Sequence, residues 1–403
     1  MKNPFKYGCV VSGESFCERP ELAKKLAGFV RAGQNVVIQG ERRMGKTSLV
    51  RETVGKMRGI KLVYIDLLGV CNVADLCGRI AGALAESDRS LPFYRKLGKM
   101  LSKLRPTVSI DPESGVPVFS IDRLAAGASG SIDAILSAVL EEAARRRLCV
   151  VFDEFQDILG MEDGKRTLAV MRGKIQLDAS TPYIFLGSVR NKMTDIFWDP
   201  GSPFYHSAAS LPVGEIPDND FYSFASKKFK AGGRDLARES FGEILAAAQR
   251  VPGYVQELCD AIWDSTESGD AIRDGEIREG IKGVFARERD HYEIFMERLT
   301  PIQRNVVATL AVHGGKGVYS GAFLSAAQVA GIGTMRRSIT KLISERLIYR
   351  HNDEYKFFNP FFARWLADRK TVLAACLQNG NNLWMKSKAK MLEFDTMRGE
   401  GKN

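Results

Sequence analysis

Gly40-Glu41-Arg42-Arg43-Met44-Gly45-Lys46-Thr47-Ser48 lies between an apolar run, Gln34-Asn35-Val36-Val37-Ile38-Gln39, and a stretch of helical character, Ser48-Leu49-Val50-Arg51-Glu52-Thr53-Val54. The run predicts a short buried strand and the stretch predicts the first turns of a helix. A glycine-rich turn in that setting aims backbone N–H groups and a helix N-terminus at one point, which suits a chain of phosphates. Gly40 and Gly45 permit the turn and the close approach of oxygens that a Cβ would obstruct. The whole segment Gly40–Ser48 is therefore expected to contact phosphate, with Lys46 bridging the β- and γ-phosphates of a nucleoside triphosphate. The Thr47 hydroxyl is placed to ligate Mg²⁺.

Such a site needs an acidic residue at the end of a second buried strand. Arg147-Leu148-Cys149-Val150-Val151-Phe152-Asp153-Glu154 supplies it. Its apolar residues show no alternating polar face, as expected of a parallel strand covered on both sides. Asp153 is the candidate Mg²⁺ holder, and Glu154 the candidate base that orients and deprotonates an attacking water.

The 403 residues suffice for two or three domains, and 45% apolar with 26% charged residues is ordinary globular composition. Seven cysteines, at 9, 17, 71, 77, 149, 259 and 376, contain no C-x-x-C pair. With few histidines this argues against a zinc cluster, and it fits reduced thiols in a cytoplasmic protein. No signal-peptide pattern and no stretch of membrane-spanning length is present in the sequence. A net charge of +10 favours an anionic partner, with nucleic acid the first candidate.

Outward from the phosphate loop, Phe16-Cys17-Glu18-Arg19-Pro20-Glu21-Leu22 opens a helix with Leu22, Leu26 and Phe29 on one face. That helix either packs beside the sheet or also frames an adenine. Lys61–Asp66 and Thr181–Ser188 read as further strands, and Ser210–Val213 as a last short one. Ser188 falls where a γ-phosphate would be sensed. Residues 91 to 130, with Pro106, Pro112 and Pro117, read as an irregular inserted loop. From Pro217 the pattern turns helical, over Phe221–Lys230, Arg234–Gln249 and Gly253–Ser265. Thr300-Pro301 then caps a helix with Val306, Val307, Leu310 and Ala311 on its apolar face. Helices over Phe323–Ala330 and Thr334–Ile343 and a hairpin from Leu347–Arg350 and Tyr355–Phe358 complete a winged helix-turn-helix. The third helix offers Arg336, Arg337, Thr340 and Lys341, either to DNA or simply to solvent. Beyond Asp368 lies a tail with Lys386, Lys388 and Lys390, either a docking helix or a basic arm.

This order resembles the archaeal-type ATPase family of the STAND and AAA+ group, and more distantly the Orc/Cdc6 initiators. The likeness is carried by Phe16 with Glu18-Arg19-Pro20-Glu21-Leu22, by Gly40–Leu49 with its paired arginines, and by Phe152-Asp153-Glu154-Phe155-Gln156. Phe185-Leu186-Gly187-Ser188, Met193, Phe197 and Ser202-Pro203-Phe204-Tyr205 extend it, as do Asn359-Pro360-Phe361-Phe362 and Arg364-Trp365-Leu366. The resemblance implies an α/β P-loop NTPase domain with an AAA+-like parallel sheet (1–216), a small all-helical lid domain (217–290) and a winged helix-turn-helix domain (291–368), then an extension (369–403). It implies an ATP-driven switch using Mg²⁺, with Phe16 and Arg19 near the nucleotide. His206-Ser207 stands where the family usually carries Gly-Arg, so that Arg190 is a substitute candidate for an arginine finger, or equally a residue that holds the sensor loop. Val251-Pro252-Gly253-Tyr254 replaces a Gly-x-Pro element. The expected function is ATP hydrolysis coupled to DNA or a protein partner or a homo-oligomer. The alternatives are a regulator that holds ATP without useful turnover and a protein-interaction scaffold. A small-molecule kinase fits least, since no acceptor pocket can be read.

Overall fold

The computed structural model describes residues 2–87, 99, 106–110, 117–121, 128–188 and 190–377. They divide into two compact units. One is formed by Lys6–Phe224 with Val251–Gly253, the other by the first five residues with Ala225–Arg250 and the chain from Tyr254 onward.

The first unit is an α/β layer structure. Helix α1 (Pro20–Arg31) precedes strand β1 (Val36–Gln39), and α2 (Lys46–Gly55) leads to β2 (Lys61–Asp66) and α3 (Val73–Ser87). A hairpin of β3 (Pro106–Ile110) and β4 (Pro117–Ile121) precedes α4 (Ala128–Ala143), β5 (Leu148–Asp153) and a 3-10 segment, Phe155–Gly160. Helix α5 (Gly164–Leu177), β6 (Tyr183–Gly187), α6 (Arg190–Phe197) and β7 (Ala209–Pro212) follow. The main sheet has five parallel strands in the order β2-β5-β6-β1-β7. Alternate side chains of each strand enter separate cores. Val37, Val63, Ile65, Val150, Phe152, Tyr183 and Phe185 face one layer of helices, while Val36, Ile38, Val151, Ile184 and Leu186 face the other. Burial on both faces explains why these strands lack a polar stripe.

The register aligns the strand ends. Gln39 pairs with Gly187 and with Pro212, and Asp66 pairs with Asp153. The turns leaving β1, β5 and β6 therefore emerge along one edge, where parallel α/β sheets take their ligands.

Residues 91–130 depart from the irregular loop expected of them, because β3 and β4 pair antiparallel with Val108 opposite Phe119. Pro106 and Pro117 each open a strand, a position that needs no ladder N–H. The remainder of that insertion lies outside the described residues, apart from Lys99 and the start of α4.

The second unit contains the C-terminal half of α7 (Asp218–Ala231), then β8 (Asp235–Leu236), α8 (Arg238–Ala247), most of α9 (Pro252–Asp264), β9 (Ala271–Ile272) and α10 (Asp274–Arg298). The single helix expected over Arg234–Gln249 is thus broken at its start. Asp235 and Leu236 pair parallel with Ala271 and Ile272, and the Arg234 guanidinium stacks 4.0 Å from the Trp263 ring. The long α10 runs without interruption through residue 290.

The winged helix follows as α11 (Pro301–His313), α12 (Gly321–Ala326), α13 (Ile332–Ser344), β10 (Ile348–His351), β11 (Glu354–Phe357) and α14 (Pro360–Leu377). Thr300 caps α11 in a reciprocal pair with Gln303. Asn352, at φ 54°, turns the wing. Helix α14 runs past Asp368, and the lysines at 386, 388 and 390 lie outside the described residues. No helix among the described residues is long and apolar enough to cross a membrane.

Candidate functional site

The chain leaves β1 at Gly40, where an added Cβ would stand 2.6 Å from the Val213 carbonyl oxygen. The turn passes Arg43 at φ 64° and Gly45 at φ 81° before α2 begins. Helix α2 starts at Lys46, two residues earlier than the sequence pattern indicates, which puts Lys46, Thr47 and Ser48 in its first turn. Their backbone N–H groups include those an α-helix leaves without internal acceptors.

Lys46 is buried, and its ammonium donates to the carbonyls of Gly40 at 2.8 Å and Glu41 at 2.9 Å, spanning the loop. Burial pushes its pKa down, against the pull of the Glu154 and Asp153 carboxylates. Arg19 is also buried and donates to the Met44 carbonyl at 2.9 Å and the Gly214 carbonyl at 2.8 Å. It ties the phosphate loop to the chain beyond β7, and desolvation lowers its pKa to about 10. Glu41, Arg42 and Arg43 are exposed at the loop's rim, while Met44 is buried beneath it. The Arg43 carbonyl accepts from Gly253 N at 3.1 Å, and a Cβ on Gly253 would come within 2.8 Å of the Arg43 side chain. The Pro-Gly order at 252–253 thus delivers a helix start directly onto the loop.

Asp153 closes β5 with its carboxylate inside this frame. Oδ2 accepts from Thr47 Oγ1 at 2.7 Å and from the Tyr64 hydroxyl, and Oδ1 accepts from the backbone N–H of Glu154 at 2.8 Å. Tyr64 comes from the neighbouring strand β2, paired with Val151. Burial and the nearby Asp153 charge raise its pKa, keeping it a donor, and Arg51 lies 4.3 Å from its ring. Glu154 follows at φ 50°, turning its side chain toward the end of β6. There its Oε2 accepts from Ser188 Oγ at 2.7 Å and from Gln156 Nε2 at 2.5 Å. Phe152, Phe155, Phe185 and Phe204 pack beneath, with the Phe155 and Phe185 ring centroids 4.6 Å apart.

Lys46, Thr47, Asp153, Glu154 and Ser188 are therefore linked along one sheet edge. Of the flanking candidates, Phe16 is half-buried in a groove beside the C-terminal half of α2. It is Val11 N that reaches the first turn of α2, donating to Ser48 Oγ at 3.1 Å. Arg190 opens α6, and its side chain lies outside the described part of the structure. Tyr64 and Gln156 complete the carboxylate network; Gln156 ends the acidic motif read in the sequence, where no role is assigned to it, and Tyr64 is not singled out there. On the winged helix, Arg336, Arg337, Thr340 and Lys341 are exposed opposite the buried Met335, Ser338, Ile339 and Leu342, and Lys341 pairs with Glu345 at 2.5 Å.

Known structures share this architecture. A Walker-type ATPase of Pyrococcus abyssi superposes with a TM-score of 0.59 at 16% identity, over 88% of this chain and 96% of that one. The Aeropyrum pernix ORC1 protein, solved in complex with DNA, gives 0.50 at 11% identity over 90% and 95%. The ORC2 protein of the same organism, solved as ADPNP–ADP complexes, gives 0.50 at 13% over 90% and 95%. This chain has the fold of the Orc-type AAA+ ATPases. Residues 290–368 match a family profile described as a probable winged helix domain. No curated protein matches the sequence.

The residues present suit a nucleotide with its divalent metal. Thr47 and Asp153, the two candidate metal holders, already share a hydrogen bond, and the space beside Gly45 is open to 4 Å around an added Cβ.

Proposed function

We propose that this chain binds Mg-ATP on the loop Gly40–Ser48 and hydrolyses it slowly, as a switch whose nucleotide state alters engagement of DNA or a protein partner. The domains of that switch are an ATPase region (1–216), a helical lid (217–290), a winged helix (291–368) and an extension (369–403). The reading rests above all on the linked placement of Lys46, Thr47, Asp153 and Glu154 at the strand ends. DNA as partner draws support from the exposed basic face of α13 and from the ORC1 relative solved with DNA.

Thr47 and Asp153 would hold the Mg²⁺, which when bound neutralises charge on the phosphates. Lys46 exchanges its two carbonyl contacts for phosphate oxygens, and loop N–H groups take the remainder of the chain. Glu154 accepts the proton of a water aligned with the terminal phosphate. Ser188 and Gln156 hold the Glu154 carboxylate by one oxygen, which leaves Oε1 for that water. Arg190 serves as the charge-stabilising arginine, and Arg19 supports the phosphate loop through the Met44 carbonyl.

Steady-state ATP hydrolysis by wild type and Glu154→Gln, with and without duplex DNA at low salt, tests this. Wild-type turnover that is lost in the variant is the expected result, and stimulation by duplex would identify DNA as the partner. Equal rates in wild type and variant would overturn hydrolysis. The double restraint on Glu154 Oε2 favours, as the second reading, a regulator that holds ATP. That reading predicts nucleotide-dependent partner binding unchanged by Glu154→Gln.

A further inference from the structure

Beside α1 and α2, from Arg19 toward the starts of β2 and β5, the first unit carries a groove of about 700 Å³. Its walls carry six Lys and Arg residues and only two carboxylates, Glu18 and Glu52. Arg19 is held by the Met44 and Gly214 carbonyls, and Lys56 pairs with Glu52 at 2.5 Å. Lys24, Arg31, Arg58 and Arg147 remain, and among the described residues none of them has a carboxylate partner. They come from three separate elements. Lys24 and Arg31 are seven apart on α1 and so share a face. Arg58 follows the end of α2, and Arg147 precedes β5, donating to the Arg31 carbonyl at 3.4 Å.

A helix dipole favours a cation at the helix C-terminus, which accounts for Arg31 and Lys56. They do not account for Lys24 in the middle of α1 or for Arg147 at a strand's start. Four unpaired cations gathered in a concave site repel one another and focus a positive potential, an arrangement that an anionic ligand relieves. A smaller hollow of about 250 Å³ shares Arg31 and Arg147 and continues along the strand starts past Gly33 and Ser180. The site is thus elongated. Its floor is apolar, formed by Phe16, Ala23, Met57 and Ile60.

We propose that this groove binds a single strand of nucleic acid, with phosphates on Lys24, Arg31, Arg58 and Arg147 and a base against Phe16 and Met57. A cationic track beside an aromatic and apolar surface is the arrangement that holds single strands with little sequence preference. The volume matches a nucleotide-sized segment, whereas a cleft between two packed helices is too narrow for a duplex. Its four cations belong to neither the phosphate loop nor α13, so the assignment goes beyond the ATPase reading.

The test is fluorescence anisotropy of dye-labelled oligo-dT with the full chain, without ATP, across a salt series. Lys24→Glu/Arg58→Glu is expected to weaken binding about tenfold or more at low salt and to flatten the logarithmic salt slope by about 1.4, two single-strand phosphate contacts. Arg336→Glu/Arg337→Glu is expected to leave oligo-dT binding unchanged. Far-UV circular dichroism and binding of a fluorescent ADP check separately that the groove variant is folded. If charge reversal unfolds it, Lys24→Gln/Arg58→Gln carries the same test. No oligo-dT binding by wild type at low salt, or equal binding by a folded groove variant, would overturn the proposal. So would displacement by polyglutamate as effective as by unlabelled oligo-dT, which would point to an acidic protein instead.

Discussion

Asp153 shows how much of the site depends on single side chains of other elements. Its carboxylate takes a hydroxyl from α2, a hydroxyl from β2 and a backbone N–H from its own turn. A carboxylate with three donors is fixed in direction before any ligand arrives, and groups supporting a metal-holding residue typically matter by about 10- to 100-fold in metal affinity or activity. Tyr64→Phe removes one donor and keeps the ring against Arg51. It is expected to raise the Mg²⁺ concentration needed for half-maximal ATP hydrolysis by at least about tenfold, with ADP binding in the absence of metal unchanged. An unaltered Mg²⁺ requirement would show that Tyr64 only packs. The sequence marks Asp153 as the end of an apolar run, but Tyr64 becomes its partner only through the register of β2 on β5. The signal available was a tyrosine inside an otherwise apolar strand, whose hydroxyl must find a partner when buried. Gln156 has no role assigned in the sequence for a related reason, since only the left-handed turn at Glu154 folds it back onto that carboxylate.

At the scale of elements, the two glycines of the phosphate loop are required for different physical reasons. Gly45 needs its left-handed φ of 81° and has open space around an added Cβ. Gly40 has no such dihedral but faces the Val213 carbonyl at 2.6 Å, so a Cβ there forces apart the chain beyond β1 and β7. Gly45→Ala is expected to cost about 1–2 kcal/mol of stability through backbone strain. Gly40→Ala is expected to cost more, about 2–3 kcal/mol, because backbone must move to relieve the overlap. Urea unfolding of both variants gives the order, and a larger loss in Gly45→Ala would contradict this account. The need for a glycine at both positions was legible in the sequence motif, whereas the partner of Gly40, Val213 at 173 positions further along the chain, was not. Strands with continuous apolar runs were legible because burial on both faces leaves no other pattern. The β3–β4 hairpin was missed although Thr107-Val108-Ser109-Ile110 and Val118-Phe119-Ser120-Ile121 alternate, because prolines suggested a break where they in fact begin strands. Asp235–Leu236 was absorbed into a helical pattern because a two-residue strand is too short to show a period.

Across the whole molecule, the parallel sheet and the winged helix follow from periodicity and turn residues, while burial of particular polar groups depends on how distant segments pack. The cysteines illustrate this. Their scattered spacing indicates free thiols, but only the fold shows that Cys17, Cys77, Cys149 and Cys259 are buried while Cys9 and Cys71 are exposed. Burial pushes the Cys17, Cys77 and Cys149 thiols up from 9.0 to about 12, and raises the Cys259 thiol as well. Between those values the unfolded chain has lost protons that the folded chain retains, so the folded state binds more protons and stability falls as pH rises. The contribution is fully present below about pH 9 and is lost progressively toward about pH 12. Arg19 acts in the opposite sense higher up, since its folded pKa of about 10 lies below its ordinary 12.5 and stability recovers as pH rises through that interval. Tyr64, Tyr183 and Tyr292, raised from 10.0, act in the same sense as the thiols but from about pH 10, so the interval from about pH 9 to about pH 10 is where the thiols weigh most. Urea midpoints measured across it are expected to decline steadily in the wild type and to decline less in Cys17→Ala/Cys77→Ala/Cys149→Ala, from a lower starting stability. A decline equally steep in that variant would assign the alkaline weakening to other groups, and a flat wild-type midpoint would mean that the thiols titrate alike in the folded and unfolded chain.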